Sequence, residues 1–102
     1  MNRENFKIVL DKIESDPSCW KQSLWHCGTK HCFAGWAQIL SGNKPNEETV
    51  RRDATRFLDV LWVEASYLFN PRRTLEDFRE FLKYEEESEA FREFLMGDLD
   101  GA

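Results

Sequence analysis

The feature that most constrains the fold is a short segment, residues 32–40, that is apolar on nearly every side. It reads Cys-Phe-Ala-Gly-Trp-Ala-Gln-Ile-Leu, in which Gln38 is the one clear candidate for contact with solvent. A helix that is apolar all round is stable only when other elements cover it, so this helix has to be central. We predict a buried helix over residues 30–40, with Thr29 as its N-cap and Ser41-Gly42-Asn43 after its end.

Apolar residues elsewhere recur with the helical period, so the remaining elements can cover the central helix. The predicted stripes are Phe6, Val9, Leu10 and Ile13; Val50, Ala54, Phe57, Leu58 and Leu61; Ala65, Leu68 and Phe69; and Leu75, Phe78, Phe81 and Leu82. No segment shows the alternation that is typical of a strand. The predicted fold class is therefore all-α, a compact bundle of about five or six short helices in a single domain, residues 1–102.

Helix boundaries follow from proline and capping signals. The first helix should end before Asp16-Pro17, and the fourth at Asn70-Pro71. Pro45-Asn46-Glu47-Glu48 has the features of a helix start, because acidic residues in a first turn complement the helix dipole. Thr74-Leu75-Glu76-Asp77 resembles a capping box and opens the fifth helix. Residues 17–29 are rich in turn-forming residues and predict an ordered loop.

The C-terminal part of the chain, residues 74–102, forms an acidic arm. It holds 10 acidic and 3 basic residues, whereas residues 1–73 hold 9 acidic and 11 basic ones. The sequence Phe-Arg-Glu-Phe-Leu occurs at 78–82 and again at 91–95. The shift between the two copies turns a helix by roughly 220°, so one straight helix would carry the two apolar stripes on different faces. We therefore predict a helix break within residues 84–88.

Thiol and imidazole side chains, the ligand types that zinc prefers, lie close together in the sequence. They are Cys19, His26, Cys27, His31 and Cys32. Structural zinc sites usually take paired ligands from two separate segments, and no second Cys or His pair follows here. We therefore predict no metal and no cofactor, and we interpret Cys27 and Cys32 as small buried residues that lock the loop onto the central helix.

A reactive thiol is the main alternative. Cys32 lies near the start of the central helix, where the helix dipole stabilises a thiolate. A thiol hydrolase also needs a histidine within hydrogen-bond reach, yet His31 would point about 100° away on the same helix. The spacing of Cys27 and Cys32 also differs from the Cys-x-x-Cys of thioredoxin-like proteins. We predict no catalytic residue, and a thiol enzyme, a redox protein and a zinc-binding module stay open as alternatives.

Charge and hydropathy argue against two classes of partner, nucleic acids and membranes. The net charge of −5 argues against a protein that binds a phosphate backbone. The basic residues concentrate at Arg51, Arg52, Arg56, Arg72 and Arg73. Acidic residues are interleaved with them, which is typical of a solvated helix face. No apolar run approaches the ~20 residues of a membrane span, and the odd number of cysteines favours reduced thiols. We expect a cytoplasmic protein with no nucleic-acid or membrane partner.

The central motif resembles a family of small uncharacterised proteins from bacteriophages and bacteria. The shared residues of the motif are Trp25, Cys27, Gly28, Thr29, Cys32, Ala34, Gly35 and Trp36. The likeness extends from about residue 8 to residue 82 and includes Ile13-Glu14-Ser15-Asp16-Pro17, Leu40-Ser41-Gly42 and Glu64-Ala65-Ser66-Tyr67-Leu68-Phe69. His26 and His31 are not part of the family pattern, and Trp62 stands where the family usually has a helix-capping residue. The resemblance implies a bacterial host but no activity, cofactor or ligand.

These observations favour a non-enzymatic protein-interaction module that binds a host or phage protein through the acidic arm. Opposite charge on the partner would accelerate such an encounter. The predicted contact residues are Glu85, Glu86, Glu87, Glu89, Phe91, Glu93, Phe94 and Leu95. A homo-oligomer is also compatible with this pattern.

Overall fold

The computed structural model describes the backbone of residues 1–100 and the side chains of residues 1–88. The described elements are α1 (Arg3–Ser15), a 3-10 turn (Pro17–Cys19), β1 (His26–Cys27), β2 (Lys30–His31), α2 (Phe33–Leu40), α3 (Val50–Leu58), α4 (Trp62–Leu68) and α5 (Leu75–Asp100). The prediction of a compact, mostly α-helical fold is confirmed. Within residues 1–100, no helix is both long and apolar enough to cross a bilayer.

Helix α1 follows its sequence signals closely. The side chain of Asn2 caps it by accepting a hydrogen bond of 3.0 Å from the Asn5 N–H. The predicted stripe is buried, and its residues are Phe6, Val9, Leu10 and Ile13. The helix ends at Ser15, before Asp16-Pro17, as predicted, because the residue before a proline disfavours helical backbone.

Helix α2 is the centre of the core, as predicted, but it begins later than expected. Phe33 is fully buried between two aromatic rings, with its centroid 4.8 Å from that of Phe6 on α1 and 4.3 Å from that of Phe78 on α5. The proposed N-cap at Thr29 is wrong, because Lys30 and His31 form a strand and Cys32 caps the helix instead.

The two strands form an antiparallel hairpin that the sequence did not predict. His26 pairs with His31, Cys27 pairs with Lys30, and Gly28-Thr29 forms the two-residue turn. Gly28 has a φ of +59°, a value that suits glycine at the first central position of a type II′ turn. Two-residue strands are too short to show a period, so only the Gly-Thr pair signals this hairpin.

Helix α3 also starts later than predicted and ends in a tight turn. Asn46 Oδ1 accepts the Glu48 N–H at 2.9 Å, so this segment forms a local turn, and α3 starts at Val50. Val50, Ala54 and Leu58 are buried as expected. Asp59 then takes a left-handed conformation, with a φ of 52°, and ends the helix. The prediction that Leu61 belongs to this buried stripe is wrong, because Leu61 follows the turn and is exposed.

Helix α5 opens with the predicted capping box, in which the Thr74 N–H donates to Asp77 Oδ2 at 2.8 Å and the Asp77 N–H donates to Thr74 Oγ1 at 3.2 Å. The predicted break within residues 84–88 is wrong, because the helix runs from Leu75 to Asp100. Residues 83–90 contain good helix formers and neither Gly nor Pro, so helix propensity decides the outcome. The side chains of Glu89, Phe91, Glu93, Phe94 and Leu95 lie outside the described residues.

Candidate functional site

Gly35 is where the hairpin meets helix α2. A Cβ atom at this position would lie 2.1 Å from the carbonyl oxygen of Trp25 and 3.2 Å from Cε1 of His26. Small residues on a helix allow another element to approach closely, and here the backbone that leads into β1 occupies that space. The spacing of the Cys-Gly-Thr and Ala-Gly-Trp segments is therefore explained by a hairpin that packs directly on a helix.

A chain of hydrogen bonds joins the hairpin to α2. Nδ1 of His26 lies 2.7 Å from Nδ1 of His31, and Nε2 of His26 lies 2.7 Å from Oε1 of Gln38. The sequence suggested that Gln38 contacts solvent, yet its exposed fraction is 0%. The prediction of solvent contact is wrong because the polar atoms of Gln38 have hydrogen-bond partners within the protein, and a paired amide can be buried.

The partners of Gln38 define the proton positions in this chain. Its Nε2 faces Asp53 Oδ2 at 2.9 Å, and its Oε1 accepts the Asn46 N–H at 2.9 Å. Because Oε1 can only accept, the Nε2 of His26 carries a proton and donates it. The contact between Nδ1 of His26 and Nδ1 of His31 needs one proton, which either ring can donate to the other.

The surroundings of the network shift two pKa values. Burial, together with the neighbouring His26, lowers the pKa of His31. The hydrogen bond from Gln38 and the neighbouring Arg52 lower the pKa of Asp53, although partial burial opposes them. The network connects the hairpin, α2, α3 and the loop before α3. We interpret it as a polar clamp that ends at the Asp53 carboxylate and holds these elements together.

The clamp does not have the geometry of a zinc site. The facing nitrogens of His26 and His31 are within hydrogen-bond distance of each other, which leaves no room for a metal ion between them. Within residues 1–88, no group of three or more His, Cys, Asp or Glu side chains is placed to hold a metal ion.

The three cysteines are free thiols in three different environments. Cys32 is buried, and its Sγ caps α2 by accepting the Gly35 N–H at 3.3 Å. Burial raises the pKa of the Cys32 thiol despite that hydrogen bond, so the thiolate is disfavoured. Cys27 is exposed, which contradicts our expectation that it is buried. The cause is the hairpin register, in which it pairs with the exposed Lys30 at the turn.

The two tryptophans of the motif, Trp25 and Trp36, connect the segment before α2 to the rest of the domain. Trp36 Nε1 donates to the carbonyl oxygen of Cys19 at 2.9 Å. Trp25 packs edge-on against Phe69 of the segment after α4, with ring centroids 6.3 Å apart. The side chain of Ala34 is fully buried. These contacts give the motif a structural role.

In contrast to these buried contacts, an apolar ridge at the start of α4 is exposed to solvent. It consists of Leu61, Trp62 and Val63, whose exposed fractions are 68%, 68% and 70%. The backbone N–H of Leu61 donates to Glu64 Oε1 at 2.8 Å, which fixes the start of α4 beneath the ridge. Contiguous exposed apolar side chains make the ridge a candidate interaction surface. The signal in the sequence is the run of three large apolar residues, Leu61-Trp62-Val63, at the start of α4.

An arginine groove of about 400 Å³ adjoins the ridge. Its lining residues are Glu48, Arg51, Arg52, Thr55, Arg56 and Trp62. The guanidinium carbon of Arg51 lies 3.8 Å from the centroid of the Trp62 ring, and Arg51 Nη2 donates to Ser66 Oγ at 2.7 Å. Charge patterning alone suggested a solvated helix face. The structure adds that three of these arginines share a concave surface with an exposed tryptophan.

Within the described part of the acidic arm, some acidic side chains contact the helical domain and are not free to bind a partner. Glu85 and Glu86 are half-buried, and Glu86 pairs with Lys7 of α1 at 3.0 Å. Glu87 is exposed and lies 4.0 Å from Lys83 one turn earlier. Of these three predicted contact residues, Glu87 is the most exposed, with 67% of its side chain accessible.

Comparison with protein-family models, with curated proteins and with solved structures finds no match to this chain. The resemblance of the central motif to small phage and bacterial proteins therefore stays a prediction.

Proposed function

We propose that this chain is a non-enzymatic protein-interaction module that binds a host or phage protein through the apolar ridge and the adjoining arginine groove. The observation that carries the proposal is the exposure of Leu61, Trp62 and Val63 beside three arginines. Tryptophan and arginine are the residue types that contribute most to binding energy at protein interfaces. A partner that fits this surface presents an apolar anchor next to carboxylates.

The thiol chemistry of the chain supports the non-enzymatic interpretation. A nucleophilic cysteine needs a lowered thiol pKa and an oriented base. Burial instead raises the pKa of Cys32, whose Sγ is already used to cap α2. His26 and His31 bond to each other, and His26 also bonds to Gln38. Cys27 is exposed, and no hydrogen bond to its thiol is found among the side chains of residues 1–88.

The acidic arm is a second surface of the proposal. Its excess of acidic over basic residues suits a basic partner, and electrostatic attraction acts mainly on the rate of association. Glu86 is paired with Lys7, so the more distal residues 87–102 would carry this contact. The ridge and the arm can therefore bind partners of different charge.

Affinity capture from a bacterial lysate, followed by titration of the captured protein, tests the proposal. The test variant is the double change Leu61→Ser and Val63→Ser, which leaves the stacking of Arg51 on Trp62 in place. The matched control is Ile8→Ser with Leu24→Ser, because both residues are also exposed apolar side chains. We expect the test variant to weaken binding by about tenfold or more and the control to bind like wild type. Equal binding by all three proteins contradicts the proposal.

A further inference from the structure

We infer that the arginine groove of one copy binds the acidic C-terminal segment, residues 87–102, of a second copy of this chain. The inference rests on the proposed function, because it assigns an occupant to the same surface. It gives the ridge and groove a partner of defined chemistry, an acidic segment that also carries apolar residues. Self-association would then compete with any other protein that uses this surface.

The groove supplies positive charge that is accessible to an acidic segment. Arg52 and Arg56 are exposed, and Glu48 is the one acidic residue among the lining groups. Arg52 pairs with Asp53 at 3.3 Å, whereas Arg56 has no ion pair among the described residues 1–88. Arg51 is held against Trp62, so the aromatic ring and the guanidinium group present a combined apolar and cationic face.

The same chain contains a segment of complementary chemistry. Residues 87–102 hold the acids Glu87, Glu89, Glu93, Asp98 and Asp100 with one base, Arg92. Phe91, Phe94 and Leu95 have the spacing of a single helical stripe, and the backbone is helical to Asp100. Helices with one apolar stripe commonly bind in grooves that offer apolar contacts and complementary charge.

The contact has to form between two copies. The first half of α5 is fixed on the domain, since Phe78 is fully buried, Arg79 pairs with Glu14 and Glu86 pairs with Lys7. Because α5 continues without a break to Asp100, its end cannot fold back onto α3 of its own chain. Two copies that exchange arms fill both grooves and form a closed dimer.

Sedimentation equilibrium of the full-length protein, at low and high salt, tests the inference. The groove variant is Arg56→Glu, the arm variant is Glu89→Lys with Glu93→Lys, and the matched control is Arg72→Glu, an exposed arginine outside the groove. Circular dichroism verifies that each variant is folded. We expect a dimer for wild type and control, a dissociation constant about tenfold or more higher for each variant alone, and recovery in the combined charge-swapped chain. High salt should weaken the wild-type dimer.

The outcomes separate this inference from the proposed function. A wild-type chain that stays monomeric at concentrations up to about 1 mM overturns the inference. A dimer that Arg56→Glu does not weaken, or that the charge swap does not restore, also overturns it. If the chain is monomeric but the ridge variant still loses a captured partner, then the inference fails and the proposed function stands. If the dimer responds to charge as expected but no other protein is captured, then the inference holds and the proposed function fails.

Discussion

Replacement of Gly35 by alanine should destabilise the protein, although alanine favours helices. The added Cβ would lie 2.1 Å from the Trp25 carbonyl oxygen, so the hairpin backbone has to move by about 1 Å. Overpacking of this kind costs about 1–3 kcal/mol. Movement of the hairpin also weakens the bond between His26 and Gln38, which is worth about 1 kcal/mol.

These terms oppose the gain of about 1 kcal/mol that alanine brings over glycine within a helix. We therefore expect a net loss of about 2 kcal/mol in the free energy of unfolding. For a domain of this size, such a loss lowers Tm by roughly 10 °C. Urea denaturation, monitored by circular dichroism, measures the free energy directly.

Gly28→Ala serves as the comparison. Its Cβ would meet nothing within 4 Å, but the φ of +59° strains any residue with a Cβ. It should cost about 1 kcal/mol, less than Gly35→Ala. A Gly35→Ala protein that is as stable as wild type, or more stable, would show that the hairpin does not pack against α2 as described.

Three further predictions concern protonation, thiol reactivity and capping. Because the pKa of His31 is lowered in the folded state, the unfolded chain binds its proton more readily, so stability should fall as the pH decreases below about 6.5. Denaturation between pH 8 and pH 5 measures this decrease, and a His31→Gln variant should show a flatter profile; an equal slope in both proteins would contradict the assignment. A thiol reagent should modify the exposed Cys27 in the native protein and reach the buried Cys32 only on unfolding. Fast native modification of Cys32 would restore the thiol-enzyme alternative. Thr74→Ala should cost about 1 kcal/mol in urea denaturation by removing the cap of α5, and no loss would mean that the capping box adds nothing.

The sequence predicted those parts of the fold that depend on neighbouring residues. The stripe of α1 and the capping box at Thr74 and Asp77 involve positions within two turns of each other, so the pattern is visible directly. The central helix is predictable for a similar reason, because the all-round apolar character of residues 32–40 is a property of one short segment.

Features that depend on distant residues were missed. Gln38 looked solvent-exposed because its partners, Asn46 and Asp53, come from other segments. The helical period assigns Leu61 to the core, because the turn at Asp59 carries no glycine to signal that α3 ends there. The same limit applies to the candidate site, since the groove exists only where α3 and the start of α4 pack together.

The prediction of a break in α5 is wrong for a different reason. The two Phe-Arg-Glu-Phe-Leu stripes lie on different faces of a straight helix, so a single helix cannot bury both of them in one core. That constraint applies only if both stripes bury against the same domain. Local helix propensity across residues 83–90 was the stronger signal.

Site-specific photocrosslinking at position 62 tests the central claim, recognition through the ridge, most directly. Trp62 is replaced by the photoreactive residue p-benzoylphenylalanine, and Ile8 on α1 is replaced in the same way as the control. Illumination of bacterial cells that express these proteins should give a discrete adduct from position 62, either with another protein or with a second copy of the chain. Position 8 should give none of that adduct. If position 62 yields no adduct, or yields the same adducts as position 8, then the ridge is not the recognition surface.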